Sequence, residues 1–280
     1  MSRAHSCGLG EGEGGKAKEW VLRPRVGLVL SDSLLRLLAL ATNRRPRDRM
    51  VKRQKKYFVR ARSWKKAVRA EPKGGVVMRQ LSLGGWDPVA EGLRGDVRAL
   101  LMETLEGVEF ADVTDIFLLC GVNSLRPSNL MEEVSDSQAA SRVKKTVDAV
   151  SGVVRDLLGL FPTAQLTYLG VGRVPFAPID SRHEALGTLL RVNNMAEEVT
   201  NRVREELQVM AEAVRREEGG RRGQRILGVH DCFSKWEAGM TEDRYGHPST
   251  TGNVQILRAL VKRGGRGPCG RFFLDSFHME

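Results

Sequence analysis

Ser33, Asn123 and His247 stand out in this 280-residue chain because a hydroxyl, a carboxamide and an imidazole can attack, donate hydrogen bonds and move protons. Each also has an ordinary reading. Ser33 precedes a Leu-rich run and suits a helix N-cap, Asn123 suits a turn, and His247 before Pro248 suits a plain loop. A second set consists of the cations Arg44, Arg45, Arg47, Lys52, Arg53, Lys55, Lys56, Arg60, Arg62, Lys65 and Lys66, interleaved with Tyr57, Phe58 and Trp64. Cations with aromatics neutralise phosphates and stack bases. The same run also suits a solvated, disordered charge block or a nuclear-localisation signal. Thirteen Lys or Arg and one acid, Asp48, fall within residues 44–69, a local net of +12. The whole chain carries +11, so the remainder sums to −1 and any contact with RNA, DNA or another polyanion rests on this segment.

The elements that must position these residues follow from periodicity. Short apolar, β-branched runs at 25–30, 76–83, 115–120, 165–171 and 225–229 predict five strands. Helical spacing predicts helices over 34–41, 89–105, 138–160, 183–217 and 253–261. Strands alternating with helices imply a parallel sheet covered on both faces, whose ligand site lies beyond the carboxyl ends of the strands. The fold class expected is therefore α/β, a three-layer sandwich around a five-stranded parallel sheet. A Gly-rich flexible lead covers 1–24, the folded domain 25–263 contains a basic insertion at 43–72, and a Gly-containing flexible tail covers 264–280.

Several classes drop out. No run reaches the ~20 apolar residues of a membrane helix, since Ser31, Asp32, Ser33 and Arg36 interrupt the best candidate. Cys7, Cys120, Cys232 and Cys269 are scattered without metal-ligand spacing, so neither a zinc site nor a cofactor is expected. The segment Gly170-Val171-Gly172-Arg173 lacks the third glycine of a dinucleotide fingerprint. With no secretory leader pattern at the start, an intracellular location, cytoplasmic or nuclear, is expected. His230 and Asp231 follow the fifth strand, where a structural role outweighs a catalytic one.

The strand ends carry Ser31-Asp32-Ser33-Leu34-Leu35, then Leu83-Gly84-Gly85-Trp86, then Gly121-Val122-Asn123-Ser124, then Asp243-Arg244-Tyr245-Gly246-His247-Pro248 with Gly252 beyond. In this order they resemble the four blocks of the SGNH or GDSL hydrolases: G-D-S-L, a glycine, G-x-N-D, and D-x-x-H-P followed by a glycine. Leu169 to Pro175 is similar to the family's strand-then-Pro segment, and Arg191-Val192-Asn193-Asn194 to its asparagine-opened helix. The resemblance implies an SGNH-like sheet with flavodoxin-like strand order and a serine esterase acting on a small ester, such as an O-acetyl group or a lipid ester. It implies Ser33 as nucleophile, His247 as general base and Asp243 as the acid that orients it. Asn123 and the N–H of Gly84 or Gly85 would form the oxyanion hole. Three positions depart from the pattern. Ser31 replaces a glycine, Ser124 replaces an aspartate, and Arg244 stands where the family's acid lies, three before the histidine. A second expectation is a protein that keeps the fold with weakened catalysis and binds RNA or DNA through its basic segment. In that layout the chain is similar to the first open-reading-frame protein of some LINE-type retrotransposons.

Overall fold

The computed structural model describes residues 25–32, 76–173, 185–217, 227–234, 236, 237, 240, 249, 252 and 256. The expected flexible lead, the helix at 34–41, the basic insertion and the tail lie outside the described residues, as does most of the helix expected at 253–261.

Five strands form one sheet: β1 (Arg25–Asp32), β2 (Val76–Leu83), β3 (Val113–Leu119), β4 (Gln165–Tyr168) and β5 (Leu227–Val229). Their order is β2-β1-β3-β4-β5 and every pairing is parallel. Parallel neighbours need crossover connections, and the described ones are helical. These are α1 (Pro88–Glu91) and α2 (Gly95–Thr104) between β2 and β3, α3 (Val122–Leu125) and α4 (Asp136–Leu160) between β3 and β4, and α5 (Leu186–Glu217) between β4 and β5. Right-handed crossovers that all step in one direction place α2, α4 and α5 on one face of the sheet. Both faces are covered. Val26, Leu28, Val29 and Leu30 on β1 are each no more than 2% exposed, and so are Ile116 to Leu119 on β3.

The two long helices have the amphipathic spacing their sequences predict. Val143, Val147, Val150, Val154 and Leu157 of α4 are buried, as are Leu189, Val192, Val199, Val203 and Leu207 of α5. At the start of α4, Ser135 accepts from the Gln138 N–H while the Gln138 side chain accepts from the Ser135 N–H, a complete capping box.

Several expected boundaries are corrected. The helix expected over 89–105 is two helices, because the chain turns at Gly92 (φ 54) before α2 begins. Strand β3 runs from Val113 rather than 115, and β4 stops at Tyr168 rather than 171. Arg191 to Asn194 lie inside α5, more than a turn past Leu186, so they do not open it. Strand β1 runs two residues further than expected. Ser31 therefore pairs with Ser82 and Leu119 inside the sheet instead of sitting in a turn.

Candidate active site

In an open parallel sheet the crevice forms where successive connections leave a strand end in opposite directions. Here β1 connects leftward to β2 while β3 to β5 run rightward, so the switch point lies between the ends of β1 and β3. Asp32 ends β1, and the Gly121 turn and α3 follow β3.

The buried layer beneath this crevice is polar. The hydroxyls of Ser31 and Ser82 are hydrogen-bonded at 3.0 Å, and Gln80 Nε2 donates to Ser82 Oγ at 2.9 Å. Ser31, Gln80 and Ser82 are all buried, so the hydroxyl at the family's glycine position has a partner waiting in β2. A Cβ at 31 is thereby accommodated in regular strand geometry. Asp32 is also fully buried. Burial first, and then the Asp32 charge, pushes the Cys120 thiol well above its usual range.

Above that layer, two loops meet. Leu83, Gly84, Gly85 and Trp86 form a tight turn closed by Trp86 N–H donating to the Leu83 carbonyl at 3.2 Å. Gly121 adopts φ 116, a conformation an L-residue rarely enters, and so turns the chain from β3 into α3. Asn123 on α3 then donates from Nδ2 to the Trp86 carbonyl at 3.0 Å. Its neighbour Ser124 donates from Oγ to Asp87 Oδ1, and the same oxygen accepts from the Val89 N–H at 2.9 Å as the N-cap of α1. A carboxylate, that of Asp87, thus lies against the Ser124 hydroxyl from the β2 side.

Of the residues singled out in sequence, the structure brings together Gly84, Gly85 and Asn123. Ser33, Asp243 and His247 lie outside the described residues, as do Arg44, Arg45, Arg47, Lys52, Arg53, Lys55, Lys56, Arg60, Arg62, Lys65 and Lys66. Ser33 directly follows Asp32 in the chain, and His247 is two residues before Ser249, whose N–H donates to the Met240 carbonyl at 3.0 Å. Asp231 has a structural place. Its carboxylate accepts from Arg173 Nη2 at 2.7 Å and from the Phe233 N–H at 3.0 Å, tying the ends of β4 and β5. Trp86 stood in the second strand-end block without a role assigned to it, and Asp87 escaped notice in the sequence, although Asp before Pro88 is an N-cap signal that would have found it.

Between α1, Ser124 and the start of α4 runs an open groove of about 440 Å³ lined by Val89, Ser124, Ser137, Gln138, Ser141, Arg142 and Lys145. Its lining side chains are three serines, an amide, two cations and Val89, and the carbon stems of these residues contribute much of its wall. No helix among the described residues is long and apolar enough to cross a membrane.

No family model and no curated protein matches the sequence. Solved structures do match. The lipase Lip_vut3 from a goat rumen metagenome superposes with a TM-score of 0.50 at 12% identity, over 86% of this chain and 97% of that one. The chain shares the α/β fold of this lipase, an SGNH-like fold built on a parallel sheet of five strands. Two further matches are an extracellular lipase from Streptomyces rimosus and a phospholipase A1 from Streptomyces albidoflavus. The first has a TM-score of 0.47 and 14% identity over 85% of this chain and 99% of that one. The second has a TM-score of 0.46 and 13% identity over the same shares, 85% and 99%. The flavodoxin-like strand order expected from the sequence is the order observed.

Proposed function

We propose that the protein is an SGNH-type serine esterase that hydrolyses a small ester through an acyl-enzyme on Ser33. The observation that carries this reading is the Asn123–Trp86 hydrogen bond at the β1/β3 switch point. A carboxamide nitrogen has two N–H groups. One is held by the Trp86 carbonyl, and in this reading the other donates to the oxyanion.

In this mechanism Ser33 Oγ attacks the ester carbonyl carbon and His247 takes the hydroxyl proton. The carbonyl π electrons move to oxygen, and the oxyanion accepts from Asn123, from Gly84 or Gly85, and from the Ser33 N–H. Collapse expels the alcohol, which receives its proton from His247. Water then attacks the acyl-enzyme with His247 again as base, and release of the acid restores Ser33. Asp243 orients the imidazole. Each oxyanion donor is worth about 3 kcal/mol in such a transition state.

The test is p-nitrophenyl acetate hydrolysis by wild type, Ser33→Ala and His247→Ala. Loss in both variants with unchanged circular dichroism supports the reading; equal rates in all three overturn it.

The local charge of +12 over 44–69 favours a second reading, a fold-retaining binder of RNA or DNA with weakened catalysis. It predicts a salt-sensitive gel shift with single-stranded RNA or DNA, abolished by replacing Lys52, Arg53, Lys55 and Lys56 with Ala. No shift at low salt would sink it.

A further inference from the structure

We infer that Tyr168 is a positioning residue of this site, its buried hydroxyl fixing the turn at Cys120 and Gly121 that presents Asn123. Tyr168 is the last residue of β4, pairs with Leu118 of β3, and is completely buried. Its hydroxyl donates to the Cys120 carbonyl at 2.9 Å, a side chain reaching across 48 residues to the strand end beside it. Gly121 comes next, and the space at its α-carbon is tightly walled. A Cβ there would lie 3.3 Å from Thr146 Cγ2, 3.4 Å from Val171 Cγ2 and 3.7 Å from the Tyr168 hydroxyl. The direction in which the chain leaves β3 is therefore set by one hydrogen bond and by the packing around it.

Asn123 is two residues further on. Its Nδ2 is anchored at one end by the Trp86 carbonyl, and its backbone is anchored at the other by this turn. An oxyanion donor works only within a narrow distance of the developing charge, about 2.7–3.1 Å. Removing the Tyr168 hydroxyl takes a donor from a buried carbonyl and frees the turn to relax, carrying Asn123 with it. The phenol keeps its proton under any assay condition at ordinary pH. Burial first, and then the acidic groups of Cys120, Asp32 and Asp231, hold it well above the usual tyrosine range.

The kinetic consequence rests on the esterase reading; the geometric one does not. Tyr168→Phe keeps the ring and its packing, so the variant folds with one hydrogen bond fewer. With p-nitrophenyl acetate, kcat is expected to fall about ten- to a hundredfold while KM changes by less than about twofold. On an Asn123→Ala background the same substitution is expected to have no further effect, because Tyr168 acts through Asn123. An equal loss on both backgrounds overturns the assignment. The second arm needs no activity. In ¹⁵N-labelled protein the two Asn123 side-chain N–H resonances are expected to shift and exchange faster in Tyr168→Phe. Unchanged resonances in the folded variant overturn the assignment. A wild type without esterase activity would count against the proposed function alone, and the resonance measurement would still decide the role of Tyr168.

Discussion

Asn123 on α3 and Trp86 beyond β2 are joined by one hydrogen bond, Nδ2 to carbonyl at 3.0 Å, although 37 residues separate them in the chain. The bond joins the loops after the second and third strands across the end of the first. Asn123→Ala is therefore expected to reduce kcat for p-nitrophenyl acetate by about 10²–10³ through loss of the oxyanion donor. Asn123→Asp is expected to fall at least as far, because a carboxylate repels the oxyanion and the Trp86 carbonyl alike. Steady-state kinetics of both variants beside wild type checks this.

Ser124 and Asp87 form a reciprocal pair, hydroxyl to carboxylate, at the cap of α1. Ser124→Asp places two carboxylates together and is expected to destabilise the fold by about 1–3 kcal/mol. Asp87→Ser is expected to cost about 1 kcal/mol, since serine still caps the helix but loses the charge-assisted bond. The double exchange Asp87→Ser with Ser124→Asp restores one acid and one hydroxyl. Denaturant unfolding should show it more stable than Ser124→Asp alone.

Gly252 follows the His-Pro dipeptide at the position where the family pattern has a glycine. A Cβ there would run into the Met240 carbonyl oxygen and lie 2.9 Å from the Trp236 ring. The same Met240 carbonyl accepts the Ser249 N–H, and the Gly252 N–H donates to Ser249 Oγ at 3.3 Å. Gly252→Ala is expected to destabilise by about 1–3 kcal/mol, as overpacking against backbone does. A melting temperature within a degree of wild type would contradict this.

Alkali should unfold the protein early. The Tyr168 phenol and Cys120 thiol both ionise less readily in the fold than in the unfolded chain. Above about pH 8.5–10, where unfolded Cys and Tyr lose protons, the unfolded state binds fewer protons than the native one. Stability then falls as pH rises, and is fully present below that window. Unfolding midpoints between pH 7 and pH 11 should show this decline. Tyr168→Phe, with one such group fewer, should decline less steeply.

The amino-acid sequence by itself determined the alternation of elements and the order of the site blocks. The apolar runs at β1 and β3 and the helical spacing of Val143 to Leu157 are local patterns, and local patterns set strand and helix identity. Gly84, Gly85 and Asn123 were picked out by the resemblance of their short blocks to a known pattern, and the structure brings them together, while His247 lies outside the described residues. What only the tertiary structure decided depends on partners remote in the chain. The β2-β1-β3-β4-β5 order comes from which strands pair, and that order makes the crevice between β1 and β3. Ser31 belongs to a strand because its backbone pairs with Ser82 and Leu119, and Asp87 meets the Ser124 hydroxyl because two loops converge. Tyr168 reads in sequence as one more apolar strand residue. Its hydroxyl gained a role only when the sheet brought the end of β4 beside that of β3, since hydrogen bonds depend on distances that periodicity does not encode.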